Sequence, residues 1–294
     1  MEFIKKTNID FMGMRNIAYV LSGAMMLISV IFIFAKTPKW GIDFLGGTLV
    51  HVKFSEDVTA AQIRKVLAAA GINPTSIQQF RGSKAAMITL KKDDTQEKID
   101  ENISSALISG LAGVQSEITG VEMVGPSVGS YLKEKAVMAL LFAFMGIIVY
   151  VAWRFKGGVW GFAGVLALFH DVLITFGLLN ILGYTIDLNI VAGLLTLAGY
   201  SINDTIVIYD RIREGIKIHY KKPLNNIINI SINETMSRTM ITVGTTLMVV
   251  FSLFMWGGDV LRGFSVTMLI GCVIGTYSTV FCAAPIVYDW QRRK

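Results

Sequence analysis

Asp204 sits inside an apolar run that begins near Leu188, and lies about a turn and a half short of the charged exit Asp210-Arg211-Ile212-Arg213-Glu214. An ionised side chain in hydrocarbon costs several kcal/mol, so such a residue faces a partner, a wet cavity or a transport path. A second ionisable residue, Arg238, opens a later apolar run. If the first run enters the membrane boundary that the second leaves, both residues lie within roughly 10 Å of it at about 1.5 Å per helical residue. A carboxylate beside a guanidinium stays ionised, and one stripped of water keeps its proton. A site that alternates between those surroundings takes up and releases a proton, which is the chemistry of a relay. Two other arrangements use the same residues. One is a static buried ion pair between helices, itself weak evidence for stability. The other is an arginine that only snorkels to the interface.

The neighbours fit a hydrated path. Tyr200 lies one turn before Asp204, with Ser201 and Asn203 between them, and Arg238, Thr242, Thr245 and Thr246 share one helical face. Threonine stripes also serve as ordinary contacts between membrane helices. His170-Asp171, with Thr175 a turn further on, lies in the middle of another apolar run. That pair suits either support for the relay or a polar lock between helices. Gly271-x-x-x-Gly275, continuing to Ser278, Thr279 and Cys282, reads as a small-residue packing seam, within this chain or with another. Cys272 and Cys282 are ten residues apart, roughly 15 Å along a helix. A disulfide needs Cα atoms within about 7 Å, so these read as packed thiols. His51 and His219 fall in polar segments and read as surface residues.

These residues need helices that cross a membrane. Of 294 residues 53% are hydrophobic and only 16% are charged, against about 25% charged in ordinary soluble domains. The apolar residues fall in blocks near 16–35, 136–153, 159–182, 188–209, 239–256 and 262–288, each close to the ~20 residues a span requires. The expected fold is a polytopic α-helical membrane protein with six transmembrane helices and one soluble insert between the first two. The divisions read as an N-terminal segment 1–15, a first span 16–35, an insert 36–134, the other spans within 135–290, and a basic tail 291–294. The first span reads as an uncleaved anchor, since its apolar core exceeds a signal peptide's and Phe34-Ala35-Lys36 is no cleavage site. The N-terminal segment alternates apolar and basic groups, which suits a stretch lying along the membrane surface. A connecting loop is expected at 211–238, with residues 225–236 either a short helix or irregular.

Orientation follows from the basic residues. Lys5, Lys6 and Arg15 precede the first span, Arg154 and Lys156 follow the second, five Lys and Arg between 211 and 222 follow the fourth, and Arg292-Arg293-Lys294 end the chain. The opposite short loops carry almost none. The positive-inside rule then puts both termini in the cytoplasm and the insert outside. The net charge of +6 reflects this bias, and no nucleic-acid partner is read from it. No phosphate-binding loop, His-Glu-x-x-His or Gly-x-Ser-x-Gly is present. The sequence therefore points to no enzyme, cofactor or metal, and to an ion gradient as the energy source.

The insert alternates element types. Thr48–Phe54 reads as a strand, Thr59–Ala70 as an amphipathic helix stopped by Gly71, Ser76–Phe80 and Ala85–Leu90 as strands joined through Arg81-Gly82-Ser83-Lys84, Thr95–Leu111 as a helix, and Glu117–Val124 as a last strand. The order β-α-β-β-α-β is that of the ferredoxin-like split motif.

Several stretches together carry a family resemblance. They are Gly41-Ile42-Asp43-Phe44-Leu45-Gly46-Gly47 after the first span, Val124-Gly125-Pro126-Ser127-Val128-Gly129 before the second, His170-Asp171-Val172, Gly199 through Glu214, and Ser231 through Thr239. In this order they resemble the SecF family of bacterial protein-export membrane subunits, within the SecD/SecF group and the resistance-nodulation-division superfamily. The resemblance implies six spans with an external ferredoxin-like domain, in the bacterial inner membrane. It implies a partner of similar design, SecD, and work beside the SecYEG channel and SecA on unfolded preprotein at the outer face, driven by the proton motive force. The family's intramembrane Asp and Arg map onto Asp204 and Arg238. Asp43, Phe44, Gly46 and Gly47 belong to the first matching stretch and read as a structural motif, with Gly46 and Gly47 a flexible turn from membrane to strand. Two other functions remain open: half of a proton-driven exporter of small molecules or lipids, and a passive scaffold that steadies a channel.

Overall fold

The computed structural model describes residues 7–79, 84–91, 99–111, 113–155 and 158–292. In chain order the elements are α1 (Arg15–Ala35), α2 (Ile42–Leu45), β1 (Gly47–Phe54), α3 (Ala60–Ala69), β2 (Ser76–Gln79), β3 (Ala85–Leu90), α4 (Ile99–Gly110), β4 (Ser116–Val124), α5 (Pro126–Phe155), α6 (Gly158–Leu182), α7 (Leu188–Ile218), α8 (Leu224–Trp256), α9 (Gly258–Ser278), a π-helical turn (Thr279–Ala283) and α10 (Ala284–Arg292). Six helical segments among the described residues are long and apolar enough to cross a membrane, the last running continuously over Gly258–Arg292. The chain divides into two compact units, residues 40–135 and the remainder.

In the smaller unit the sheet order is β2-β3-β1-β4, every neighbouring pair antiparallel. This is the arrangement that a split β-α-β with a closing fourth strand produces. Val50, Val52 and Phe54 alternate along β1, and Ala86, Ile88 and Leu90 along β3; both sets are buried with Ile63 and Leu67 of α3 and Ile103 and Leu107 of α4. The two periods, 2 in the strands and 3.6 in the helices, thus meet in one core. α3 starts at a reciprocal cap: the Thr59 hydroxyl accepts from the Gln62 amide while the Gln62 side chain accepts from the Thr59 amide. Gly71 ends that helix at φ +77°. The hairpin residues 81–83, Phe80 and the expected helix start at 95–98 lie outside the described residues, as do Lys5, Lys6, Lys156, Arg293 and Lys294. His51 departs from its surface reading. It is 8% exposed in the sheet, with Nε2 3.4 Å from Glu122, because β1 is flanked by a strand on each side.

In the larger unit α6, α7 and α9 form the buried centre. Lipid tails are as apolar as leucine, so such helices associate through close packing and hydrogen bonds. Glycines supply the close approach. A Cβ at Gly177 of α6 would strike Ser29 of α1, one at Gly193 of α7 would lie 2.9 Å from Thr267 of α9, and one at Gly271 of α9 would strike Leu197 of α7. The Gly271–Cys282 seam is thereby spent inside the chain, against α7, α6 and α1. Asp187 caps α7 by accepting from the Ile190 amide at 2.8 Å. Cys272 and Cys282 are free and buried.

The expected loop at 211–238 is helical for most of its length. α7 continues to Ile218 and α8 starts at Leu224. Ile212, Ile228 and Ile232 are buried in one apolar cluster with Tyr209, so the helical period simply runs on past the charged residues. On the same extensions Arg211 meets Glu234 at 2.6 Å and Glu214 at 2.5 Å.

Residues 7–13 pack onto α8. Asn233 accepts from the Ile9 amide and donates to the Ile9 carbonyl, both at 2.9 Å. One turn earlier, Asn229 accepts from the Met12 amide at 2.9 Å and donates to Asp10 at 2.7 Å. Phe11 and Met12 are buried beneath this clamp. The Gly13 amide, then the Asn229 side chain, bond the Asp10 carboxylate and hold its pKa below the ordinary 3.8.

Candidate functional site

α7 and α8 run side by side and bring Asp204 against Thr239, whose hydroxyl donates to Oδ1 of Asp204 at 2.8 Å. The other oxygen, Oδ2, is buried and has no hydrogen-bond partner among the described residues, and the Tyr200 hydroxyl one turn earlier is in the same condition. A buried, half-partnered carboxylate is costly as an ion. Its chemistry is that of a group that gains from holding a proton or from meeting a donor brought by another molecule.

Arg238 makes no ion pair or hydrogen bond with Asp204 among the described residues. Its charge acts on that carboxylate only through space, and its side chain is exposed. The reason is helical geometry. Thr239, the next residue, points at α7, and a neighbour on the same helix is turned by about 100°. Sequence reading selected the charged residue and passed over the hydroxyl beside it.

Of the other expected residues, Tyr200 is half-buried, while Asn203 and Thr242 are exposed. Thr245 and Thr246 turn their hydroxyls back to the carbonyls of Ile241 and Thr242. The exposed ones lie beside Asp204 on the surface of the isolated chain. Gly199 and Gly244 are equally open: a Cβ on either would meet nothing within 4 Å.

His170 and Asp171 form a second polar centre. Asp171 is wholly buried, and its carboxylate is fully engaged. Oδ1 lies 2.9 Å from His170 Nδ1, and Oδ2 accepts from Ser201 of α7 at 2.5 Å and from Ser278 of α9 at 2.8 Å. His170 Nε2 lies 4.0 Å from the Cys282 sulfur, which in turn is 3.1 Å from the Ser22 hydroxyl of α1. Thr205 pairs with Thr279 at 3.0 Å. Neither Ser201 nor Ser278 was singled out as a partner of Asp171; the signal for Ser278 was the small polar residues recurring along the last span, which read as packing alone. Neither centre resembles a metal site, and no group of three or more His, Cys, Asp or Glu gathers among the described residues.

The glycine pair belongs to the smaller unit. Gly46 and Gly47 have φ of +72° and +135°, a region that L side chains rarely adopt. A Cβ on Gly46 would sit 2.9 Å from Pro126 Cα, and one on Gly47 would strike the Leu90 carbonyl. Phe44 is buried, its ring edge-to-face with Trp40 at 5.7 Å, and Asp43 lies in the first turn of α2. The pair is therefore a close-packed turn, not the flexible one expected.

Comparison with known proteins adds family evidence. Residues 103–293 match the model of the C-terminal part of the protein export membrane proteins SecD and SecF, and residues 31–58 match the SecD/SecF GG motif. The chain is 40% identical over 293 residues to a protein translocase subunit SecF of Endomicrobium trichonymphae, covering 99% of this chain and 94% of that one. It is 41% identical to the subunit of that name in Calditerrivibrio nitroreducens, covering 98% and 96%. A crystal structure of SecDF, a translocon-associated membrane protein from Thermus thermophilus, superposes with a TM-score of 0.88 at 32% identity over 98% of this chain. The chain spans 39% of that structure's length.

Proposed function

The chain belongs to the SecD/SecF family of protein-export membrane proteins, and from that premise we propose that it is an accessory subunit of the Sec export machinery that couples proton flow to preprotein movement. Asp204 carries the proton. The observation behind this assignment is its divided carboxylate: one oxygen held by Thr239, the other buried without a partner among the described residues. Arg238 acts through its field, and the exposed face with Asn203, Thr242 and Gly199 is where a second protein completes the site. The greater length of the solved SecDF relative supports a SecD partner of similar design. The membrane is the bacterial inner membrane, with both termini cytoplasmic and the insert outside, where it meets unfolded preprotein leaving the SecYEG channel after SecA-driven insertion. The chain does this work without catalysing a covalent reaction. Charge bias across the short loops supports the orientation.

Vesicles lacking this chain test the proposal. They should lose the gradient-dependent part of preprotein export and regain it when the chain is restored with its SecD-type partner. Unchanged export together with altered accumulation of small amphiphiles would replace this reading by the exporter alternative.

A further inference from the structure

The relay assignment uses one face of α7; the neighbouring face is tied to Asp171. Ser201 and Asp204 are three residues apart, so they differ by about 60° around α7 and about 4.5 Å along it. Ser201 donates to Asp171 at 2.5 Å, and a turn further on Thr205 meets Thr279 at 3.0 Å. Ser278 closes the same carboxylate from α9. Gly275 permits this approach: a Cβ there would lie 3.2 Å from Ser201 and 3.5 Å from Asp171 Oδ2. The anchor ends at the π-helical turn Thr279–Ala283, a form that occurs mostly as single turns at functional sites.

We propose that Asp171 is a positioning residue for Asp204: through Ser201 it sets the rotation of α7 that points Asp204 at Thr239. The assignment rests on Asp204 being the proton-carrying group. Turning α7 enough to move Asp204 away from α8 breaks the Ser201–Asp171 bond, so each proton cycle works against this stop. His170 orients the carboxylate from its own helix. Among the described residues, the other ionisable groups at His170 are Cys282, facing Nε2, and Tyr277, stacked on the imidazole, and those that act on Asp204 are Tyr200 and Arg238.

The test uses the full chain in its membrane complex with the SecD-type partner, carrying Ser201→Ala or Asp171→Asn. Two quantities are read: the pH profile of gradient-driven export by that complex, and the maleimide labelling rate of a cysteine placed at Asn203 in the same variants of the full chain without its partner, where Asn203 is exposed. Both variants are expected to change labelling about threefold or more, the order of one hydrogen bond, and to displace the profile by about half a unit. A merely structural role lowers the rate alike at every pH. An unmoved profile therefore overturns the proposal, even where labelling changes. If Asp171→Asn does not accumulate, Ser201→Ala, which removes a single oxygen, decides alone. Asp204→Asn is run in parallel. Should it keep gradient-dependent export, the relay reading fails, and labelling alone then judges the positioning: a change supports it and no change overturns it.

Discussion

The Thr239 hydroxyl on α8 donates a 2.8 Å hydrogen bond to Oδ1 of Asp204 on α7. This contact, and not an Asp204–Arg238 ion pair, joins the two helices at the depth of the carboxylate. It satisfies one oxygen and leaves the other dependent on a proton or on a group from outside the chain. An ion pair would neutralise the site permanently; a single neutral donor leaves it able to change state.

Thr239→Val removes the donor and keeps the volume. A hydrogen bond to a charged group contributes about 1.5–3 kcal/mol, so gradient-driven export should fall about tenfold or more, at about 1.4 kcal/mol per tenfold. Thr239→Ser keeps the hydroxyl and should stay near the wild-type rate. Export rates of the two variants at equal expression check this.

The small-residue seam on α9 faces Leu197 of α7, so its disruption should weaken the chain itself. Gly271→Val overpacks this contact at a cost of about 1–3 kcal/mol. Thermal unfolding in detergent should shift down for the isolated chain and for the assembled complex alike. A selective loss of partner co-purification would point instead to a seam between proteins.

At Gly47 a side chain meets both a positive φ and the Leu90 carbonyl. Gly47→Ala should destabilise the 40–135 unit by about 1–3 kcal/mol. Limited proteolysis of the full chain should then cut within that unit earlier than in wild type, with the spans still intact.

The clamp on residues 7–13 predicts a pH dependence. Asp10 has a depressed pKa in the folded chain, so its contribution is complete above the unfolded carboxylate range of about 3.9 and is lost as pH falls through the lower folded value. Hydrogen exchange at the Met12 and Gly13 amides, corrected for the intrinsic rate, should stay slow at neutral pH and accelerate below about pH 4. Asn229→Ala should remove most of that protection at every pH.

The two periods in the insert and the apolar blocks made the fold legible from sequence, because strand alternation and span length are local properties. Asp204 and Asp171 stood out for the same reason: a carboxylate in an apolar run is conspicuous on its own. Their partners were not legible. Thr239, Ser201 and Ser278 look like any small polar residue in a membrane helix, and only helix rotation and approach decide which of them reaches a carboxylate. Arg238 is marked in sequence by its charge, while the rotation of α8 that turns its side chain outward, leaving only its field on Asp204, is not legible there. The 211–238 segment misled because its charges mask an isoleucine period that continues both helices.

The most direct measurement concerns Asp204 itself. Export of a preprotein is followed in vesicles carrying the chain and its SecD-type partner, with and without an imposed proton gradient, for wild type, Asp204→Asn and Asp204→Glu. The account predicts that Asp204→Asn assembles normally yet exports at one rate regardless of the gradient, while Asp204→Glu keeps part of the acceleration. An Asp204→Asn complex that retains the full wild-type response to the gradient would contradict it.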